Sequence, residues 1–195
     1  MDRPEKRLVD VTALKALAHP LRVALLDALS QYGEATASGL AERLGESSGA
    51  TSYHLRQLAK HDFVQEVPDR GTGRERWWKR SPGGFVVGVE DQPDAASKEA
   101  ARLVINQWHS GREQLLTDFM DRGDDELAPE WTRAAVLSTF NMRLTAEQLA
   151  EIVGEFERIA DDYIVRFRDQ NPPGSRPVQF QFNAFPIMDG EETPS

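Results

Sequence analysis

With 195 residues and 39% hydrophobic content, the chain is long enough to build one or two cored domains. No apolar run approaches about 18 residues and the start Met1-Asp2-Arg3-Pro4-Glu5-Lys6-Arg7 carries no apolar signal segment, so the expectation is a cytoplasmic protein with no membrane partner. Zero cysteines exclude a disulfide framework and a thiol redox sensor, and the net charge of −9 is unevenly divided. Residues 1–90 hold 13 Lys and Arg against 12 Asp and Glu, whereas residues 91–195 hold 10 against 20. An acidic second half turned away from a polyanion would leave the first half as the approach face, although acidity also simply keeps a domain soluble.

In chain order, Thr36 can cap a short helix carrying Leu40, Ala41 and Leu44, and Gly45 breaks it. Ser47 or Ser48 can then cap a second helix. At about 100° per residue, its Thr51, Leu55, Leu58 and Asp62 cluster on one side with Ala59 beside them. The other side holds Gly49, Tyr53, Arg56, Gln57 and Lys60, groups suited to base edges and phosphates, with Gly49 allowing close backbone approach. Alone, such a face is as readily a solvated surface.

The context that follows favours the nucleic-acid reading. Residues 63–67 have strand character, Pro68 to Gly73 is turn chemistry, and Arg74 to Arg80 resumes as a strand. From Arg70 to Arg80, five cations stand against Glu75 alone, a local net of +4. At least one of Trp77 and Trp78 is expected to anchor this wing in the core. The expected DNA contacts are Ser48, Gly49, Ala50, Ser52, Tyr53, Arg56, Gln57 and Lys60 on the helix, with Arg70, Thr72, Arg74 and Arg76 on the wing.

Leu17 to Lys79 resembles the ArsR-type winged-helix repressors of bacteria. The likeness lies in Ala18-His19-Pro20-Leu21-Arg22 within a first long helix, Ser52-Tyr53-His54-Leu55-Arg56-Gln57-Leu58 in the recognition helix, and the Gly-rich wing. It covers about a third of the chain. The resemblance implies a homodimeric transcriptional regulator, with repression the expected mode, that binds double-stranded DNA at inverted half-sites through one recognition helix and one wing per subunit. Metal-sensing members carry Cys ligands in the supporting helix, or His and carboxylate ligands in a C-terminal helix. Here Thr36-Ala37-Ser38 stands in the supporting helix, and His19, His54, His61 and His109 show no ligand spacing, so no metal and no cofactor is expected.

A boundary is expected near residues 88–93. From Ala96 to about Met120, Ala100, Val104, Trp108, Gly111, Leu115 and Phe119 recur at helical spacing, as a dimer seam or as domain core. An acidic turn over 121–126 precedes an alternating strand at 136–144. Thr145 and Gln148 then form a capping box for a helix whose stripe Leu149, Ile152, Val153, Phe156, Ile159, Ala160, Tyr163 and Phe167 is expected to be buried. A last strand is expected at 178–184.

The fold class so read is mainly α with small β. A winged helix-turn-helix domain at 8–90 precedes an α+β dimerisation or effector domain at 93–188 and a polar tail at 189–195. Trp108, Trp131, Phe140, Phe180 and Phe182 could line an apolar pocket for a small organic effector or serve a partner protein; ordinary core is the plainer reading. An enzyme is disfavoured: about 105 residues follow the wing, with no Gly-x-Gly-x-x-Gly loop of the kind a methyltransferase-like domain needs. A winged-helix interaction module that never touches DNA remains the other alternative.

Overall fold

The computed structural model describes residues 7–68, 70–71, 75–167 and 170–191. Among these, the order is β1 (Arg7–Leu8), α1 (Val11–Leu17), α2 (Pro20–Tyr32), β2 (Ala35–Thr36), α3 (Ala37–Leu44), α4 (Ser48–Ala59), β3 (Val64–Val67), β4 (Trp77–Arg80), β5 (Phe85–Val86), α5 (Ala95–Glu126), α6 (Pro129–Ala134) and α7 (Ala146–Phe167). By contact the chain divides into two compact units, Met1–Asp125 and Glu126–Ser195.

Capping chemistry sets the helix starts of the first unit. The Asp10 side chain accepts from the Ala13 N–H at 2.8 Å, Thr36 Oγ1 from Gly39 at 3.0 Å, and Ser47 Oγ from Ala50 at 3.2 Å. Ser47, rather than Ser48, is therefore the cap of α4. Gly45 ends α3 in the left-handed region at φ 67°, which turns the chain into α4 within three residues. The His-Pro-Leu-Arg motif does not lie inside one long helix. Pro20 occupies the first position of α2 and His19 caps it, so Ala18 and His19 form a break between α1 and α2.

Leu14, Leu17, Val23, Leu25, Leu40, Leu55, Leu58, Phe63 and Val64 form the core of this unit. The strands β2, β4 and β3 lie side by side in that order, antiparallel, with Ala35 opposite Trp78 and Glu66 opposite Trp78 on the other edge. Trp78 is 4% exposed and anchors the wing strand, as expected of one of the two tryptophans. A two-residue parallel pair, β1 with β5, closes the periphery.

The helix α5 belongs to the same unit: Ala101 and Val104 are buried in its core, and Trp108 packs at 5.7 Å from Phe85. The division therefore falls after Asp125, because the first turns of α5 are winged-helix core. Residues 121–126, expected as an acidic turn, continue α5. The break comes instead at Pro129, whose ring drives Ala128 out of the helical region to ψ 142°.

In the second unit the reciprocal capping box forms as expected. The Thr145 N–H donates to Gln148 Oε1 at 3.0 Å, and the Gln148 N–H donates to Thr145 Oγ1 at 3.3 Å. The expected strands at 136–144 and 178–184 do not form, and the second unit is helical with extended segments rather than α+β. Alternation encodes a two-faced strand but supplies no neighbour, and a strand without a ladder partner gains nothing from its period. Nor is the α7 stripe buried within the unit: Phe156, Ile159, Tyr163 and Phe167 are all exposed, with Phe156 stacked on Phe182 at 4.1 Å.

Two substitutions separate core from cap. Leu55→Ala, which empties a fully buried position, is expected to cost about 2–5 kcal/mol, and Thr145→Ala about 1 kcal/mol. Urea unfolding of both variants, with circular dichroism for helix content, checks the order.

Candidate nucleic-acid interface

The helix α4 is divided between a dry face and a bare one. Thr51, Leu55 and Leu58 are wholly buried, whereas Ser48, Gly49, Tyr53, Arg56 and Lys60 are exposed, and Ala50, Ser52 and Gln57 are half-buried at the margins. Gly49, Tyr53, Arg56 and Lys60 follow at spacings of four, three and four residues, which places them in one stripe. The stripe ends at Lys60, which caps the C-terminus of α4. Asp62, expected on the buried side of the helix, instead takes φ 55° in the turn that leads Phe63 into the core.

The wing cations are less free than their count in the sequence implies. The Arg70 guanidinium pairs with the Glu34 carboxylate and lies 4.0 Å over the Trp77 ring. Lys79 reaches the same Glu34 at 3.8 Å, and Arg76 reaches Glu66 at 3.4 Å. Exposed pairs of this kind are worth about 0–1 kcal/mol each, so they hold the side chains loosely and yield to a stronger anion. Gly71 must be glycine: it sits at φ 97°, and a Cβ there would meet the Glu75 carbonyl oxygen at 2.9 Å. Thr72 and Arg74, both expected as DNA contacts, lie outside the described residues.

At the root of the wing, alternation turns Arg80 inward with Trp78. Arg80 donates to Ser30 Oγ at 3.0 Å, lies 5.0 Å over Phe85, and is held below the ordinary guanidinium range by burial. Asp27 of α2 faces the same region. Burial raises its carboxyl to about 6, against the opposing pull of the Arg112 and Arg80 charges. Glu34, Glu66 and Asp27 went unread in the sequence, since nothing local marks a carboxylate that will meet a cation dozens of residues away.

The five aromatics that could line an effector pocket are divided between the two units. Trp108 is in the first unit against Phe85, whereas Trp131, Phe140, Phe180 and Phe182 belong to the second. Phe140 and Phe180 are 65% and 93% exposed and so enclose no cavity within their own unit; Trp131 lies under the Arg176 guanidinium at 5.5 Å. Among the described residues no group of three or more His, Asp or Glu side chains is placed to hold a metal ion, and no helix is long and apolar enough to cross a membrane.

The profile of a helix-turn-helix domain family matches residues 17–67, the segment from the end of α1 through β3. With β4 completing the hairpin, this part of the chain is a winged helix-turn-helix domain. No curated protein matches the chain. Among solved structures, the chain is similar to reduced HlyU from Vibrio cholerae, at 24% identity over 48% of this chain and 82% of that one with a TM-score of 0.32. It is also similar to the adhesin competence repressor AdcR from Streptococcus pyogenes, at 18% identity over 74% and 80% with a TM-score of 0.33. Wild-type MarR from E. coli matches at 17% identity over 75% and 87%, with a TM-score of 0.30. Scores this low leave function to be argued from the site itself.

The Asp27 carboxyl generates a pH prediction. Its folded pKa lies above its ordinary value, so the folded state binds more protons than the unfolded one between about pH 4 and 6, and Asp27 lowers stability as pH rises through that window. Asp27→Asn removes that contribution. Its stability relative to the unsubstituted protein is expected to grow as pH is raised from about 4 to about 6.5, read from urea midpoints at each pH.

Proposed function

We propose that the protein is a sequence-specific transcriptional regulator of the ArsR-like kind, a homodimer that represses by occupying an inverted-repeat site in double-stranded DNA. The observation that carries this reading is the division of α4: a polar, cationic stripe of Gly49, Tyr53, Arg56 and Lys60 backed by fully buried Leu55 and Leu58, with a wing beside it. In this reading Tyr53, Arg56 and Gln57 approach base edges in the major groove, with Ser48, Gly49, Ala50, Ser52 and Lys60 at its walls. Arg70, Thr72, Arg74 and Arg76 meet phosphates or the minor groove.

One recognition helix contacts too few base pairs for useful specificity, which is the reason for a dimer. The exposed α7 stripe supplies apolar surface of the kind a subunit contact uses. Residues 8–90 are the DNA-binding domain, its core completed by the first turns of α5, and the remainder of 93–188 serves dimerisation and the reading of an organic effector or partner protein rather than a metal ion. The protein works by binding, without catalysis, in the cytoplasm.

A duplex selected by the protein from random sequence tests the assignment. Arg56→Ala or Gln57→Ala is expected to cost about 1–3 kcal/mol on that duplex and to relax preference at one position per half-site. Arg76→Ala is expected to weaken all sequences alike and to lower the salt slope by about one unit. Unchanged binding in both Arg56→Ala and Arg76→Ala would remove this surface from consideration. Sedimentation at micromolar protein is expected to give a dimer, and a monomer both free and on the selected duplex would overturn the dimeric reading.

A further inference from the structure

We infer that a backbone phosphate of duplex DNA seats on the corner formed by His19, Arg22 and His54, beside the exposed stripe of α4. This rests on the DNA-binding reading and adds to it a contact outside both the recognition face and the wing.

The corner is built from two elements. His19 Nδ1 accepts the Leu21 N–H at 3.2 Å, which leaves the proton of the neutral ring on Nε2 as a donor. Its ring lies 4.3 Å from that of His54 on α4, and Tyr53 meets His54 edge-on at 5.1 Å. The Arg22 backbone N–H donates to the His19 carbonyl at 2.9 Å, which places Arg22 in the first turn of α2.

The His19 and His54 rings thus meet within reach of the Arg22 charge, and the polar atoms of Arg22 and His54 are under-used. Arg22 Nε and His54 Nδ1 are both buried without a hydrogen-bond partner, and neither residue has an ion pair among the described residues. The contrast with the wing is direct, since Arg70, Lys79 and Arg76 each reach a carboxylate. Burial, then His19 and Arg22, hold His54 below the ordinary imidazole range, and only Glu46, in the loop before α4, acts in the opposite direction. Burial likewise lowers Arg22, with Tyr53 opposing. A corner of donors with no contacting counter-charge is complementary to an anion.

Its position points to a polymeric phosphate. His54 follows Tyr53 by one residue and so lies about 100° around α4 from the stripe, at the boundary between its bare and buried faces. A helix lying in a major groove has bases in front of it and phosphates along both walls, so donors at the margin of its exposed face meet backbone rather than base edges. The contact would position the helix without reading sequence.

The test uses the full chain with a mixed-sequence duplex, because a phosphate contact is blind to sequence. Arg22→Ala is expected to weaken duplex binding about tenfold at low salt and to lower the salt slope by about one unit, with Arg22→Lys restoring most of the slope. Independently of any variant, the His54 and His19 imidazole signals in NMR are expected to shift with duplex, and the His54 pKa to rise. Inorganic phosphate at the same concentration is expected to leave them unmoved.

If the protein binds duplex but His54 does not respond and Arg22→Ala keeps the parent slope, the seat is overturned while DNA binding stands. Should inorganic phosphate reproduce the His54 shift in full, the ligand is a small anion and the duplex assignment falls. Absence of any duplex binding by the unsubstituted protein overturns the DNA reading itself and the seat with it. Where Arg22→Ala fails to fold, the His54 response of the unsubstituted protein decides.

Discussion

The burial of Leu55 and Leu58 behind α4 is the contact on which the exposed face of that helix depends. A helix of 12 residues is marginal in isolation, because nucleation is unfavourable and too few turns follow to offset it. Removing each leucine side chain from water contributes about 1.5–3 kcal/mol, which converts a marginal helix into a fixed one. Only then can Gly49, Tyr53, Arg56 and Lys60 be presented at a constant spacing. Trp78 ties the wing strand to the same core, so helix and hairpin are held by one body of apolar side chains rather than by separate loops.

Electrostatics is arranged around that scaffold in two ways. On the wing, cations rest on exposed carboxylates that a denser anion can replace at small cost. Behind it, Asp27 and Arg80 are partly withdrawn from water, and their charges are disfavoured by the burial that brings them together. The net charge of the sequence therefore says little about the field that a ligand meets. What counts is which cations already have a neighbour.

Local chemistry was legible in the sequence, and non-local partnership was not. The caps at Thr36 and Ser47, the glycine break at Gly45, the buried tryptophan of the wing and the Thr145–Gln148 box all follow from rules that act within four residues. The side of α4 left bare followed from its period. By contrast, alternation at 136–144 and 178–184 suggested strands, yet strand formation depends on a neighbour that alternation does not encode. The α7 stripe has helical period but no covering surface within its unit, so periodicity fixed the helix and not its burial. The pairs Glu34 with Arg70 and His19 with His54 join residues 36 and 35 positions apart. No window of sequence spans them.

The double grip of Glu34 has an evolutionary consequence. This one carboxylate, placed just after the Gly33 turn, serves both the Arg70 guanidinium and the Lys79 ammonium, so the wing's loop and its returning strand share a single counter-ion on a third segment of chain. Drift at position 34 is then felt at two cations together, whereas loss of either cation leaves the carboxylate with its other partner. Descent with change is accordingly asymmetric. Among divergent copies of this gene, positions 70 and 79 should vary one at a time under a retained acid at 34, and a change at 34 should be accompanied by changes at both.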